Sequence, residues 1–308
     1  MEKMPEYNLP NEEGINRTSP QVIELADKLL GAIDLFNDPL ASILIGKGNE
    51  EYVRQKIVGN IEFLFRQNSS EKVSAFIAQL AENNEFMATV RRTPDMISNL
   101  CTLYRHQEIL TDPVKLSNFS YNQNLYHQEL LHKSKGVVER IQQNPFASED
   151  ELDAGVYRED LESQVRDAVF IFRKKGYNTF ESGFGDNVTG EQFIGFDKSN
   201  MSAIPVIPDE LAEELSSQNI SITMRESKDR YSLRLTPTGN FPSLEEWKEI
   251  WKIVTDLIPS IHSNVHSENV HTGISREFRE KQEKIKKGES VYLGHGLRFE
   301  NNAIISEE

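Results

Sequence analysis

Two stretches of strict alternation constrain this chain more than any other feature. Ile220, Ile222 and Met224 alternate with Ser221, Thr223 and Arg225, and Tyr231, Leu233 and Leu235 alternate with Ser232 and Arg234. Successive side chains leave a β-strand on opposite faces, so this period of two predicts a strand pair with one dry and one wet face. An antiparallel sheet accommodates that asymmetry, whereas parallel sheets are normally buried on both sides. Residues 227–230 (Ser-Lys-Asp-Arg) join the pair as a hairpin that lacks the Asn-Gly or Asp-Gly signature. The dry face needs a cover. Ser243-Leu-Glu-Glu246 has the spacing of a capping box. The helix it opens carries Trp247, Ile250, Trp251, Val254, Leu257 and Ile258 on one face, and Pro259 ends it.

The residues upstream complete a small domain. A helix over 160–176 places Leu161, Val165, Ala168, Val169 and Phe172 on a buried stripe, and Gly176 supplies the left-handed residue that ends such helices. Strands follow at 178–181 and 192–196, and a short helix opens at Pro208. The order helix, two strands, short helix, two strands, helix is met most simply by a four-stranded antiparallel sheet covered on one face by two long helices.

Ahead of this lies a helical half. Ser19-Pro20 offers an N-cap followed by proline at the first helical position. Apolar residues then recur at helical spacing through Ile33, over 50–66, from Ser70, from Pro94 and over 121–143. Gly136 sits inside the last of these, where it costs about 1 kcal/mol relative to alanine and marks a bend or a close approach. The expected fold class is therefore α+β overall, an all-α N-terminal helical domain followed by the α+β domain. The expected divisions are a flexible arm at 1–18, the helical domain at 19–143, an acidic linker without a sustained apolar face at 144–157, the α+β sandwich at 158–260, and a charged, partly ordered extension at 261–308. That extension holds the mixed-charge run 275–287, expected as an exposed helix, and a short apolar, strand-like piece at 291–299.

Composition narrows the function classes. The formal charge of −15 disfavours a general polyanion-binding role, nucleic acid included, because phosphate neutralisation needs clustered lysine and arginine. One cysteine, Cys101, permits no disulfide within the chain and no Cys-based zinc site, which fits a reducing compartment. The start, Met1-Glu-Lys-Met-Pro, lacks the pattern of a secretory signal, and no apolar run approaches the ~20 residues of a membrane span. A soluble cytoplasmic protein without membrane attachment is the expectation.

The candidate site is the glycine-rich segment 182–190. Ser182, Gly183, Phe184 and Gly185 offer backbone freedom for close ligand approach and an aromatic cover. Glu181 and Asp186 are the carboxylates that could act as acid and base. The spacing fits neither a phosphate-binding loop nor a dinucleotide fingerprint, and a hairpin turn explains the glycines equally well. Arg225 and Arg234 project from the wet face and could bind an anionic partner or ligand. Alternation alone predicts polar residues there, so a solvated role is expected unless the loop carboxylates or an opposing acidic surface stand close. His262, His266 and His271, with Glu268 between, form the one histidine cluster, but the surrounding Ser, Asn and Gly residues suit a solvated linker better than a metal site. No cofactor is implied and no catalytic signature is recognisable. The leading expectation is a binding or adaptor protein with protein partners. The alternative is an enzyme or small-ligand binder using 182–190 and its flanking carboxylates.

Overall fold

The computed structural model describes residues 19–32, 50–83, 100–186, 188–198, 205–261 and 273–306. The chain divides into two compact units, Met1–Pro113 and Val114–Glu308. Described helices of the first are α1 (Pro20–Ala32), α2 (Glu50–Gln67), α3 (Ser70–Glu82) and α4 (Leu100–Arg105). Ser19 Oγ accepts from the Val22 amide and Ser69 Oγ from the Lys72 amide, so serine caps open α1 and α3. The helical stripes pack together: Val22, Ala26 and Leu29 with Ile57, Ile61 and Val73, Phe76, Ile77 and Leu80 are all buried. Cys101 is half-buried on α4, where desolvation holds its thiol above its ordinary pKa.

The second unit is built on α5 (Pro113–Gln143), α6 (Glu149–Ala154), α7 (Arg166–Lys174), β1 (Thr179–Asp186), β2 (Glu191–Asp197), α8 (Asp209–Ser217), β3 (Ile220–Glu226), β4 (Arg230–Pro237) and α9 (Leu244–Leu257). It closes with α10 (Gly273–Lys286), β5 (Val291–Gly294), β6 (Leu297–Glu300) and β7 (Ala303–Ser306). The four-stranded sheet has the order β1-β2-β4-β3 and is antiparallel throughout. Register pairs Ile194 with Leu233 and Gln192 with Leu235, which aligns the dry residues of neighbouring strands. Val169 and Phe172 of α7, Leu211 and Leu215 of α8, and Trp247, Trp251 and Val254 of α9 bury that face. The α+β architecture is thus as the alternation and the capped tryptophan helix implied.

Several boundaries differ from expectation. Helix α5 starts at Pro113, well before residue 121: proline suits the first helical position, and Leu116 and Phe119 of its first turns are buried. The helix expected over 160–176 is a 3₁₀ turn at Arg158–Asp160 followed by the shorter α7. Residues 163–165 form the turn that leads into α7, with the Val165 and Arg166 amides donating to the Glu162 carbonyl. The Ser163 amide donates to Glu129 (2.7 Å) and the Gln164 side chain to Gln192 (3.0 Å). The segment 144–157 holds α6, closed by a Ser148/Glu151 capping box and by Gly155 at φ +73°, with Leu152, Ala154 and Tyr157 buried. Most of the expected loop 182–190 is strand, since β1 runs through Asp186 and β2 starts at Glu191.

The C-terminal residues form a second core. Ile285 of α10 and Val291, Leu293, Leu297 and Phe299 of a β5-β6-β7 meander pack on Val137 and Ile141 of α5 and on Tyr157. Helix α10 is therefore exposed on only part of its surface. Gln282 on its buried face accepts from the Ala147 amide (2.9 Å) and donates to Tyr157 Oη (2.9 Å) and to the Pro145 carbonyl (3.1 Å), tying the extension to 144–157.

Candidate functional site

The glycines of the β1–β2 hairpin serve neighbouring side chains of the same chain. Gly183 has φ +120°, and a Cβ there would lie 2.6 Å from Glu162 Oε2. A Cβ on Gly185 would lie 2.8 Å from Glu191 Oε1. Each glycine leaves the space into which a buried carboxylate is folded. Phe184 is half-buried and meets the Tyr126 ring of α5 edge-on at 5.2 Å. Glu181 is exposed. The Asp186 side chain falls outside the described residues, as do His262, His266 and His271. No group of three or more His, Cys, Asp or Glu side chains suited to a metal ion occurs among the described residues.

On the wet face the structure joins Arg225 and Arg234 through a residue the sequence reading passed over, Glu191. Arg234 forms an ion pair with the buried Glu191 carboxylate, and Arg225 approaches its other oxygen at 3.6 Å. Position was the available signal: Glu191 opens β2 directly after Gly190, one strand away from Arg234. Arginine also covers the aromatic rings of this face. The Arg230 guanidinium lies 3.9 Å from the centre of the Phe180 ring, and that of Arg234 lies 5.5 Å from Phe193.

A cleft of about 300 Å³ lies against the first half of β1, between Thr179–Ser182 and the segment carrying Asp160 and Glu162. Arg173 borders it. Its guanidinium donates to Thr179 Oγ1 (2.6 Å), Asn178 Oδ1 (3.0 Å) and the Thr179 carbonyl, and burial lowers its pKa to about 10. Lys133 Nζ stands 3.4 Å from Glu162 Oε1, while Glu162 Oε2 is buried and accepts no hydrogen bond among the described residues. Asp160 Oδ1 is 2.9 Å from His295 Nε2 in the β5–β6 turn. A larger open groove of about 610 Å³ along α10 is lined by interleaved Arg, Lys and Glu side chains, the pattern of a solvated helix face.

The cleft thus joins one uncommitted carboxylate oxygen, one exposed carboxylate at Glu181 and a sheet edge. That combination suits recognition of a hydrogen-bond donor or cation. Comparison with protein-family models, with curated proteins and with solved structures found no match. Among the described residues, no helix is long and apolar enough to cross a membrane.

Proposed function

We propose that this chain is a soluble intracellular binding or adaptor protein that engages protein partners through the edge and wet face of its four-stranded sheet. One observation carries the reading. β1 is an edge strand with no further strand on its outer side among the described residues, and its Phe180 is 40% exposed. An open edge offers backbone donors and acceptors that an added strand can pair, and natural proteins usually blunt such edges. The ion-paired arginines on the adjoining face add polar contacts around exposed aromatic surface, a composition common at interfaces. The test is affinity capture with the full chain, identification of what binds, and reconstitution from purified components. A partner should bind reversibly and lose about tenfold in affinity, ~1.4 kcal/mol, with Phe180→Glu. A protein that stays an unpartnered monomer by native mass measurement, or partners indifferent to Phe180→Glu, would overturn the reading.

A second reading, a small-ligand binder or enzyme, draws on the cleft, where Glu162 and Glu181 line a space at the small end of ligand pockets. It requires saturable binding or turnover of a small molecule that Glu181→Gln abolishes.

A further inference from the structure

We propose that the cleft beside β1 is a recognition pocket for one cationic side chain, arginine or lysine, carried by an extended peptide of the protein partner. This inference rests on the edge-binding reading above and adds what the partner must present.

Glu162 supplies the chemistry. Its side chain is 9% exposed, it lines the cleft, and its Oε2 has no hydrogen-bond partner among the described residues. A buried carboxylate oxygen left without a donor carries a desolvation cost that a donating cation would offset. The strand is shaped to hold that carboxylate in place, since any side chain at Gly183 would collide with it. The other charges of the cleft are committed elsewhere. Arg173 is spent on Thr179 and Asn178, Asp160 faces His295, and Lys133 meets the opposite oxygen of Glu162 at a long 3.4 Å. Glu181, exposed at the rim, leaves carboxylates in excess of cations among the lining residues, Asp160, Glu162 and Glu181 against Lys133 and Arg173. A guanidinium is favoured over an ammonium because its planar fork can donate to two carboxylates at once.

The peptide source follows from placement. The cleft lies beside Thr179–Ser182 of the edge strand, and its about 300 Å³ accommodates one side chain and not a folded element. The net charge of −15 draws basic partners at long range.

The experiment is selection of random heptapeptides against the immobilised full chain, with affinities then measured for the enriched sequences. Enriched peptides are expected to hold arginine or lysine at one fixed position. Replacing that residue by glutamine, or using Glu162→Gln protein, should weaken binding at least tenfold, and Glu181→Gln should weaken it by a smaller factor. Thermal melts confirm that each variant is folded, and the rim variant Glu181→Gln keeps the test open if Glu162→Gln is not. Enriched peptides without a fixed basic position that depend on Phe180 but not on Glu162 would overturn the pocket and leave the edge reading standing. No enriched peptide at all would overturn both. Tight binding of spermidine or free arginine with no peptide enriched would assign the cleft to a small amine and likewise overturn the peptide assignment.

Discussion

At the scale of single residues, the close pairing of glycine with buried carboxylate is the feature most open to test. Gly183→Ala places a methyl group 2.6 Å from Glu162 Oε2 at a φ of +120°, so it should destabilise the second unit by about 1–3 kcal/mol. In urea titrations the double variant with Glu162→Ala should cost less than the sum of the single changes, since both act on one contact. Additive costs would show that the backbone conformation alone is responsible. A second pair lies in the core. Gln164 and Gln192 share one hydrogen bond and are almost wholly buried, with Gln164 Oε1 and Gln192 Nε2 unpaired among the described residues. Gln192→Leu alone strands the donor of Gln164 and should cost about 1–3 kcal/mol, whereas leucine at both positions should come close to neutral. Equal losses from the single and double variants would contradict this account.

At the scale of elements, local signals succeeded where the backbone satisfies its own polar groups. The Ser243/Glu246 capping box of α9 forms as its spacing implied, with the Ser243 amide donating to Glu246 at 2.7 Å. That backbone bond, with a second from the Ser243 hydroxyl, holds the Glu246 carboxyl below its ordinary value of 4.5. A lowered carboxyl pKa makes the cap's contribution fully present above the ordinary value and removes it as pH falls through the lowered one. The stability gap between the native chain and Glu246→Gln should therefore narrow as acid is added from neutral pH. A gap independent of pH would mean that the carboxylate charge is irrelevant to the cap. The β3–β4 pair was equally legible, because alternation with one polar face reports its own environment. The start of α7 was not, because the acceptor of the Ser163 amide, Glu129, lies far away in sequence.

At the scale of the whole molecule, the C-terminal residues are part of the second unit's core. Tyr157 links them: its hydroxyl donates to the Pro145 carbonyl at 2.7 Å and meets Gln282, and burial pushes its pKa up to about 12 from 10. For an acid raised in the folded state, stability is fully present below the unfolded pKa and is lost as pH rises toward the folded one. The native chain should thus weaken between pH 10 and about 12, and Tyr157→Phe should lose less over that interval in the same denaturant assay. Identical alkaline profiles would remove Tyr157 as the cause. Deleting 273–306 should uncover Val137, Ile141 and Tyr157 and raise hydrogen exchange across 137–157, and unchanged protection there would refute the shared core.

By itself the sequence determined the kind of elements and their order across the sheet domain. Periods of two and 3.6, serine caps and terminating glycines act within a few residues and need no distant partner. Only the tertiary structure decided where those elements end, which carboxylates are buried, and what the glycines are for. Gly183 and Gly185 read as turn residues or ligand loops until Glu162 and Glu191 are seen against them. Arg225 and Arg234 read as independent residues of the wet face until Glu191 is seen between them. Such contacts bring together residues that periodicity cannot connect, because burial and charge pairing depend on distance in space.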